Sequence, residues 1–284
     1  MSRAVPLRLS LVLAAQRLRP ETLRADGAAY VRDRLARRRY RTLGESELLA
    51  TRTSETAFVL GSGRSVLEIP ADEWSRIADC NTISFSEFHR QRLVRADYHM
   101  VGEVADHVPP DGRPEAIREY ARHLRENPLY ASTVLLLQAG WVARGSNELV
   151  GRRLLPPSAR VFRYRRANRG VYAPPTRSFR EGVTHGWNSA ISATNLALLL
   201  GFRRIVLVGV DMYDQGYFWL EEGETRANVP EGMGAADPFP TAGEVVDLFR
   251  CWRSLLEPTG VELEVYNPRS RLAQALPVFS WSVA

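Results

Sequence analysis

Six short apolar runs, each broken by glycine or a polar residue where it ends, govern what this chain can become. They are "TAFVLGSG" (56–63), "NTISF" (81–85), "DYHMVG" (97–102), "STVLLLQ" (132–138), "RRIVLVGVD" (203–211) and "VELEVYN" (261–267), with helical segments between most of them. Runs of this kind, rich in Val, Ile and Leu and bounded by turn residues, predict strands buried on both faces. Strands that alternate with helices join a parallel sheet covered on both sides. The expected fold class is therefore α/β, a Rossmann-like, mostly parallel sheet. Ligands of such sheets sit beyond the carboxyl ends of the strands, so the residues that follow each run are where chemistry is to be sought.

Charge divides the chain. Residues 1–43 hold eleven Arg against Glu21, Asp26 and Asp33, whereas the rest holds 27 Arg against 29 acids. The overall net charge of +6 thus belongs to an N-terminal segment, and the near-neutral body gives no reason to expect a nucleic-acid partner. This predicts a basic helical extension over 1–50 and one α/β domain over 51–284. The extension can pack on the body, form a homo-oligomer contact, or lie on an anionic membrane surface, where a basic amphipathic helix gains burial and electrostatic attraction together. Because the core pattern begins only at "TAFVLG", deleting 1–50 is expected to leave a folded body.

Every one of the 38 basic residues is Arg. No P-loop, Schiff-base or kinase-strand lysine can operate here. Cys80 and Cys251 are isolated, with neither a CxxC pair nor a histidine at metal spacing, so they read as reduced and structural. The apolar run Leu9–Ala15 is too short to span a membrane and lacks a cleavage site, so a cytoplasmic location, at the inner membrane surface if the extension binds lipid, is expected. Residues 139–183, crowded with Arg, Pro, Gly and aromatics, break the strand–helix rhythm and are expected as a lid over the ligand. Its Arg163, Arg165, Arg166, Arg169, Arg177 and Arg180 could clamp phosphate or carboxylate.

Two motifs meet at the predicted ligand edge. In "LGSGRSV" (60–66) the glycines let backbone approach a phosphate, but Val66 stands where a dinucleotide fingerprint has its third glycine. The next strand ends in "SFSEF", with Ser86 in place of an acid, so an NAD site is disfavoured; a mononucleotide site or an empty tight turn remain. "IVLVGV" runs into Asp211, Tyr213, Asp214, Tyr217 and Trp219 at the same edge, where Asp211 either faces a nucleotide or caps the next turn.

The stretches "FVLGSGRSV", "THGWNSAISATNLALLLGFRRIVLVGVDMYDQG" and "VELEVYNPRSRLAQAL", in this order, resemble the bacterial sialyltransferases of glycosyltransferase family 42. They are similar also to the domain shared by motility-accessory glycosyltransferases and archaeal-type pterin diphosphokinases. The resemblance covers about residues 56–277. It implies a GT-A variant of the Rossmann-like fold, a CMP-activated nonulosonic-acid donor, no divalent metal and no other cofactor. Carried across residue by residue, it implies Gly61, Ser62, Gly63 and Ser65 at the phosphate and ribose end of CMP, with Ser86 beside them. Asn188 and Ser189 would face the nucleotide or sugar from a helix N-terminus, Asp211 would lie against the nucleotide, and Tyr213 would assist the departing phosphate. Trp219 stands where a second such tyrosine belongs, with Tyr217 as its neighbour. The family histidine is missing as well: "GAADPFPTAGEVVDLF" offers Asp237 as the only ionisable group near that place, and His185, just before the Asn188 helix, is the alternative. His89, His99, His107 and His123 read as surface or framework residues.

The expected activity is transfer of a sialic-acid-like sugar from a CMP donor to a hydroxyl of a glycan or other acceptor, with Asp237 or His185 as base and Tyr213 with arginines stabilising the phosphate. A pterin diphosphokinase using ATP and Mg²⁺ would instead need a carboxylate cluster at Asp211, Asp214, Glu221 and Glu222. A non-catalytic nucleotide-binding module would account for the two missing side chains.

Overall fold

The computed structural model describes residues 20–102, 104, 112–213, 216–221, 224 and 241–281. Eight strands form one sheet: β1 (Arg41–Thr42), β2 (Thr56–Leu60), β3 (Asn81–Phe85), β4 (Tyr98–Val101), β5 (Val134–Ala139), β6 (Arg160–Arg165), β7 (Arg204–Val208) and β8 (Glu262–Val265). Their order is β1-β6-β5-β4-β3-β2-β7-β8, and every pairing is parallel. The fold is α/β and Rossmann-like, with a wholly parallel sheet.

Strand alternation distributes the apolar residues to both faces. Ala57, Val59, Ile83, Met100 and Leu136 point to a core shared with α2 (Glu45–Leu49), α6 (Ser189–Leu199) and α7 (Ala242–Leu256). On the other face Leu135, Leu137 and Val161 pack under α4 (Arg113–Glu126) and α5 (Arg144–Gly151). Farther along that face Phe58, Leu60, Val206 and Val208 pack under α3 (Ala71–Ala78). Burial on both sides explains why these runs carry so few polar residues.

Two expectations are corrected. Residues 139–183 are not one lid: they contain α5 and β6, a further strand–helix–strand repeat. Only the stretch after β6 is irregular, and it is tied down. Asn195 of α6, fully buried, accepts hydrogen bonds through Oδ1 from Thr184 N (2.7 Å) and Thr176 Oγ1 (2.8 Å) and donates to Thr176 O (3.1 Å). Nor does packing break at residue 50. α1 (Pro20–Ala36) lies on α5, β1 extends the sheet beside β6, and Leu43 and Leu48 are buried in the main core. Asp33 is buried against Arg163 of β6. Desolvation raises its carboxyl above the ordinary value, against the pull of Arg163, Arg37 and Arg34.

Candidate functional site at the switch point of the sheet

From β2 the chain builds the sheet in one direction through β3, β4, β5 and β6, then crosses back to add β7 and β8 on the other side. Strand order therefore reverses between β2 and β7, the place where open parallel sheets bind ligands beyond their carboxyl ends. The two strands end level, Leu60 opposite Val208. Gly61–Ser65 and Gly209–Tyr213 thus leave the sheet side by side.

Close backbone contact fixes both turns. Gly61 N donates to Val208 O (2.7 Å) and Gly63 N to Gly209 O (2.8 Å). A Cβ on Gly63 would lie 2.2 Å from Asp211 Oδ2, and Gly209 has φ +63 with space for no side chain beside Gly61 O. Glycine is required at both positions. Asp211, buried, is the hub of the arrangement: it accepts from Ser65 N (3.1 Å), Ser65 Oγ (2.6 Å) and Asn267 Nδ2 (3.0 Å). Asn267 follows β8 and also donates to Tyr213 OH (3.3 Å). Ser270 Oγ adds a bond to Val210 O (2.6 Å). One carboxylate thus joins the ends of three strands.

The other expected residues fall around this hub. Asn188 caps α6, accepting from Ile191 N (3.2 Å), and its Nδ2 lies 3.8 Å from Met212 Sδ, so the start of the helix with Ser189 abuts the Asp211–Tyr213 segment. His185, half-buried, pairs its Nδ1 with Ser192 Oγ (3.1 Å). Ser86 closes β3 next to β2 with φ +54, and Met212 has φ +59. Non-glycine residues held in this region concentrate at functional sites. Tyr217 returns to bridge Gly63, Phe218 N donates to Ser62 O (3.2 Å), and Trp219 stacks on Tyr217 and lies under the Arg90 guanidinium. The segment carrying Tyr217 and Trp219 therefore covers the glycine turn. Asp237, Asp214, Glu222 and His107 lie outside the described residues.

Three backbone amides expected to cradle a phosphate, those of Gly61, Gly63 and Ser65, are already satisfied by Val208, Gly209 and Asp211. The Ser62 hydroxyl, by contrast, is buried with no hydrogen-bond partner among the described residues. Buried hydroxyls are rarely left so. Asp211 behaves as a framework acid, one of the two roles open to it in the sequence. Asn267 was not singled out from sequence, although the argument that located Asp211, a polar residue just past the end of an interior-type strand, applies to "VELEVYN" equally.

His89 and His99 lie beneath this edge as framework residues. His89 Nδ1–H donates to Ser86 O (3.1 Å), His99 Nε2 meets Tyr120 OH (2.6 Å) and its Nδ1 meets Ser84 Oγ (2.8 Å). Burial holds His89 down to about 4 and His99 well below the ordinary imidazole range. Of the arginines expected to clamp a ligand, Arg163 of β6 pairs instead with Asp33, and Arg169 with Glu181 (2.7 Å). Among the described residues no group of three or more His, Cys, Asp or Glu is placed to hold a metal. Two open grooves, of about 340 Å³ on α4 and about 330 Å³ at the amino ends of β4–β6, lie away from the switch point. Topology and the hydrogen-bond pattern locate the site better than such surface hollows. No protein-family model matches the chain, and no curated protein does.

Proposed function

We propose that the switch-point site binds a CMP-activated, sialic-acid-like sugar and transfers it, without a metal, to a hydroxyl of a glycan or other acceptor. Support comes from two sides. The sequence resemblance supplies the donor class. The unpartnered, buried Ser62 hydroxyl carries the structural part, because the Gly61, Gly63 and Ser65 amides and the Asp211 carboxylate beside it are satisfied and it lies at the place where the topology favours a ligand.

In this reading a ligand oxygen pairs with Ser62, Asn188 and Ser189 approach it from the start of α6, and Tyr213 lies beside the leaving phosphate. The acceptor oxygen attacks the anomeric carbon, the bond to the CMP phosphate breaks in line, and the departing oxygen keeps the electron pair. The acceptor's proton passes to a base, for which Asp237 and His185 are the candidates. Tyr213 helps by donating to the phosphate as charge develops. Asp211 acts one step removed, by holding Ser65 and Asn267, and through Asn267 the Tyr213 hydroxyl.

Thermal denaturation with CMP, CDP, UDP, GDP and ATP, each with and without Mg²⁺, tests the reading. Cytidine nucleotides are expected to stabilise without metal, by about 2.7 kcal/mol at a hundred times the dissociation constant. Ser62→Ala removes no protein hydrogen bond, so it should leave the unliganded protein as stable as before and abolish the CMP response. Stabilisation only by ATP with Mg²⁺ would transfer the assignment to a diphosphokinase.

A further inference from the structure

α1 is packed inside out. Its buried positions are Asp26, Ala29, Asp33 and Ala36, spaced at i, i+3, i+7 and i+10 along one face. The two aspartates are neutralised there by the body: Asp26 by Arg144 (3.6 Å) and Asp33 by Arg163, with Arg32 reaching Glu148 (2.7 Å) at the margin. The larger apolar side chains face the other way. Leu23 is 40% exposed, Val31 56% and Leu35 80%, and Arg24, Arg34, Arg38 and Arg39 are exposed among or just beyond them. Beside the middle of the helix Trp141, 49% exposed, and Val142, 62% exposed, add to the apolar surface, with Trp141 against Gly27 and Tyr30 (6.3 Å between ring centroids).

A soluble helix gains by turning leucine and valine inward and aspartate outward. The reverse arrangement leaves a face that is apolar and cationic at once. Asp26 and Asp33 are spent on the buried side, and the preceding nineteen residues add Arg3, Arg8, Arg17 and Arg19 and no Asp or Glu. We infer that the outward face of α1, with Trp141 and Val142, docks on the surface of an anionic lipid bilayer. The apolar side chains would enter the headgroup boundary while the arginines pair with lipid phosphates, and an exposed tryptophan is suited to that depth. A two-fold contact with a second copy would set the arginines of one α1 against those of the other, which like-charge repulsion opposes. Among the described residues no helix is long and apolar enough to cross a membrane, so the contact proposed is peripheral. It is independent of the nucleotide reading.

Co-sedimentation of the full chain with vesicles tests the inference, comparing pure phosphatidylcholine with an equal mixture of phosphatidylcholine and phosphatidylglycerol. Partitioning to the mixed vesicles only, weakening as salt is raised, is expected. Leu35→Glu, at a side chain the fold hardly touches, should lower that partitioning about tenfold or more with an unchanged melting temperature. Arg34→Glu with Arg38→Glu should lower it comparably. In Leu35→Trp, added mixed vesicles should blue-shift the new indole emission relative to the unsubstituted protein. Failure to bind mixed vesicles at low salt would overturn the inference, as would binding that Leu35→Glu leaves intact. A concentration-dependent dimer abolished by Leu35→Glu, without lipid binding, would assign the face to a second copy.

Discussion

Asp211 shows how much can rest on a single carboxylate that need not touch a substrate. Its three hydrogen bonds gather groups following β2 and β8, and removing it strips the acceptor from the Ser65 amide, the Ser65 hydroxyl and one N–H of the Asn267 carboxamide, all buried. Asp211→Ala should therefore destabilise the fold by roughly 3 kcal/mol or more, lowering the melting temperature by several degrees; an unchanged melting temperature would show that the hub is dispensable. Tyr213 is the contrasting case. Its hydroxyl accepts a 3.3 Å bond from Asn267, and losing that contact in Tyr213→Phe should cost about 1 kcal/mol in stability. On the proposed function, the same change should lower turnover by roughly ten- to thousandfold with nucleotide affinity little altered, which steady-state kinetics beside a binding titration would resolve. Sequence could place both residues at the carboxyl edge of the sheet. It could not separate framework from chemistry, because that depends on Asn267 and Ser65, brought to Asp211 from 56 and 146 residues away.

Elements were legible where their composition was uniform. "NTISF" coincides with β3, and the cores of β2, β4, β5, β7 and β8 fall within their apolar runs. β6 was hidden because "RVFRYR" alternates arginine with apolar residues; Val161, Phe162 and Tyr164 are buried, while Arg163 reaches out to an aspartate of α1 that no local pattern links to it. β1, two residues long, has no pattern to read. The packing of β3, β4 and α4 carries a further consequence. Tyr130 OH, Ser84, His99 and Tyr120 form a buried chain of hydrogen bonds. His89 lies tilted against Tyr120 (4.1 Å between centroids), with its Nε2 given no hydrogen bond among the described residues and Glu87 3.9 Å away. Burial, opposed by Glu87, lowers the folded-state pKa of His89 from 6.5 to about 4. Between those values the unfolded chain takes up a proton that the folded chain refuses, so stability is lost as pH falls from 6.5 toward 4. His89 alone accounts for about 3 kcal/mol of that loss, and His99 acts in the same direction. Melting temperatures should fall across this window, and His89→Asn, which retains a donor toward Ser86 but does not titrate, should flatten the slope.

At the scale of the whole molecule, the strongly basic N-terminal segment looks detachable from its charge and is not detachable from its packing. Composition set residues 1–50 apart, since an arginine-rich stretch with few acids reads as an appendage. Yet Ala36, Tyr40, Leu43 and Leu48 belong to the cores on the two faces of the sheet, and Leu43 N donates to Val161 O (2.8 Å). Cutting at residue 50 would uncover the edge of β6 and empty those positions. It would also strip partners from Arg163, Arg144 and Glu148, two of which pair with buried aspartates of α1. Buried leucines removed outright cost about 2 kcal/mol each or more, and bared charges at a former interface add to that. The total is comparable with the entire stability of an ordinary domain. A chain beginning at residue 51 is therefore expected to be insoluble or to lack a cooperative unfolding transition. A chain beginning at residue 20 keeps every contact named here and should melt within a few degrees of the full protein. Calorimetry on the two truncations decides the matter: a cooperative, nucleotide-responsive transition in the shorter one would mean that the sheet is complete without β1 and that α1 is an appendage after all.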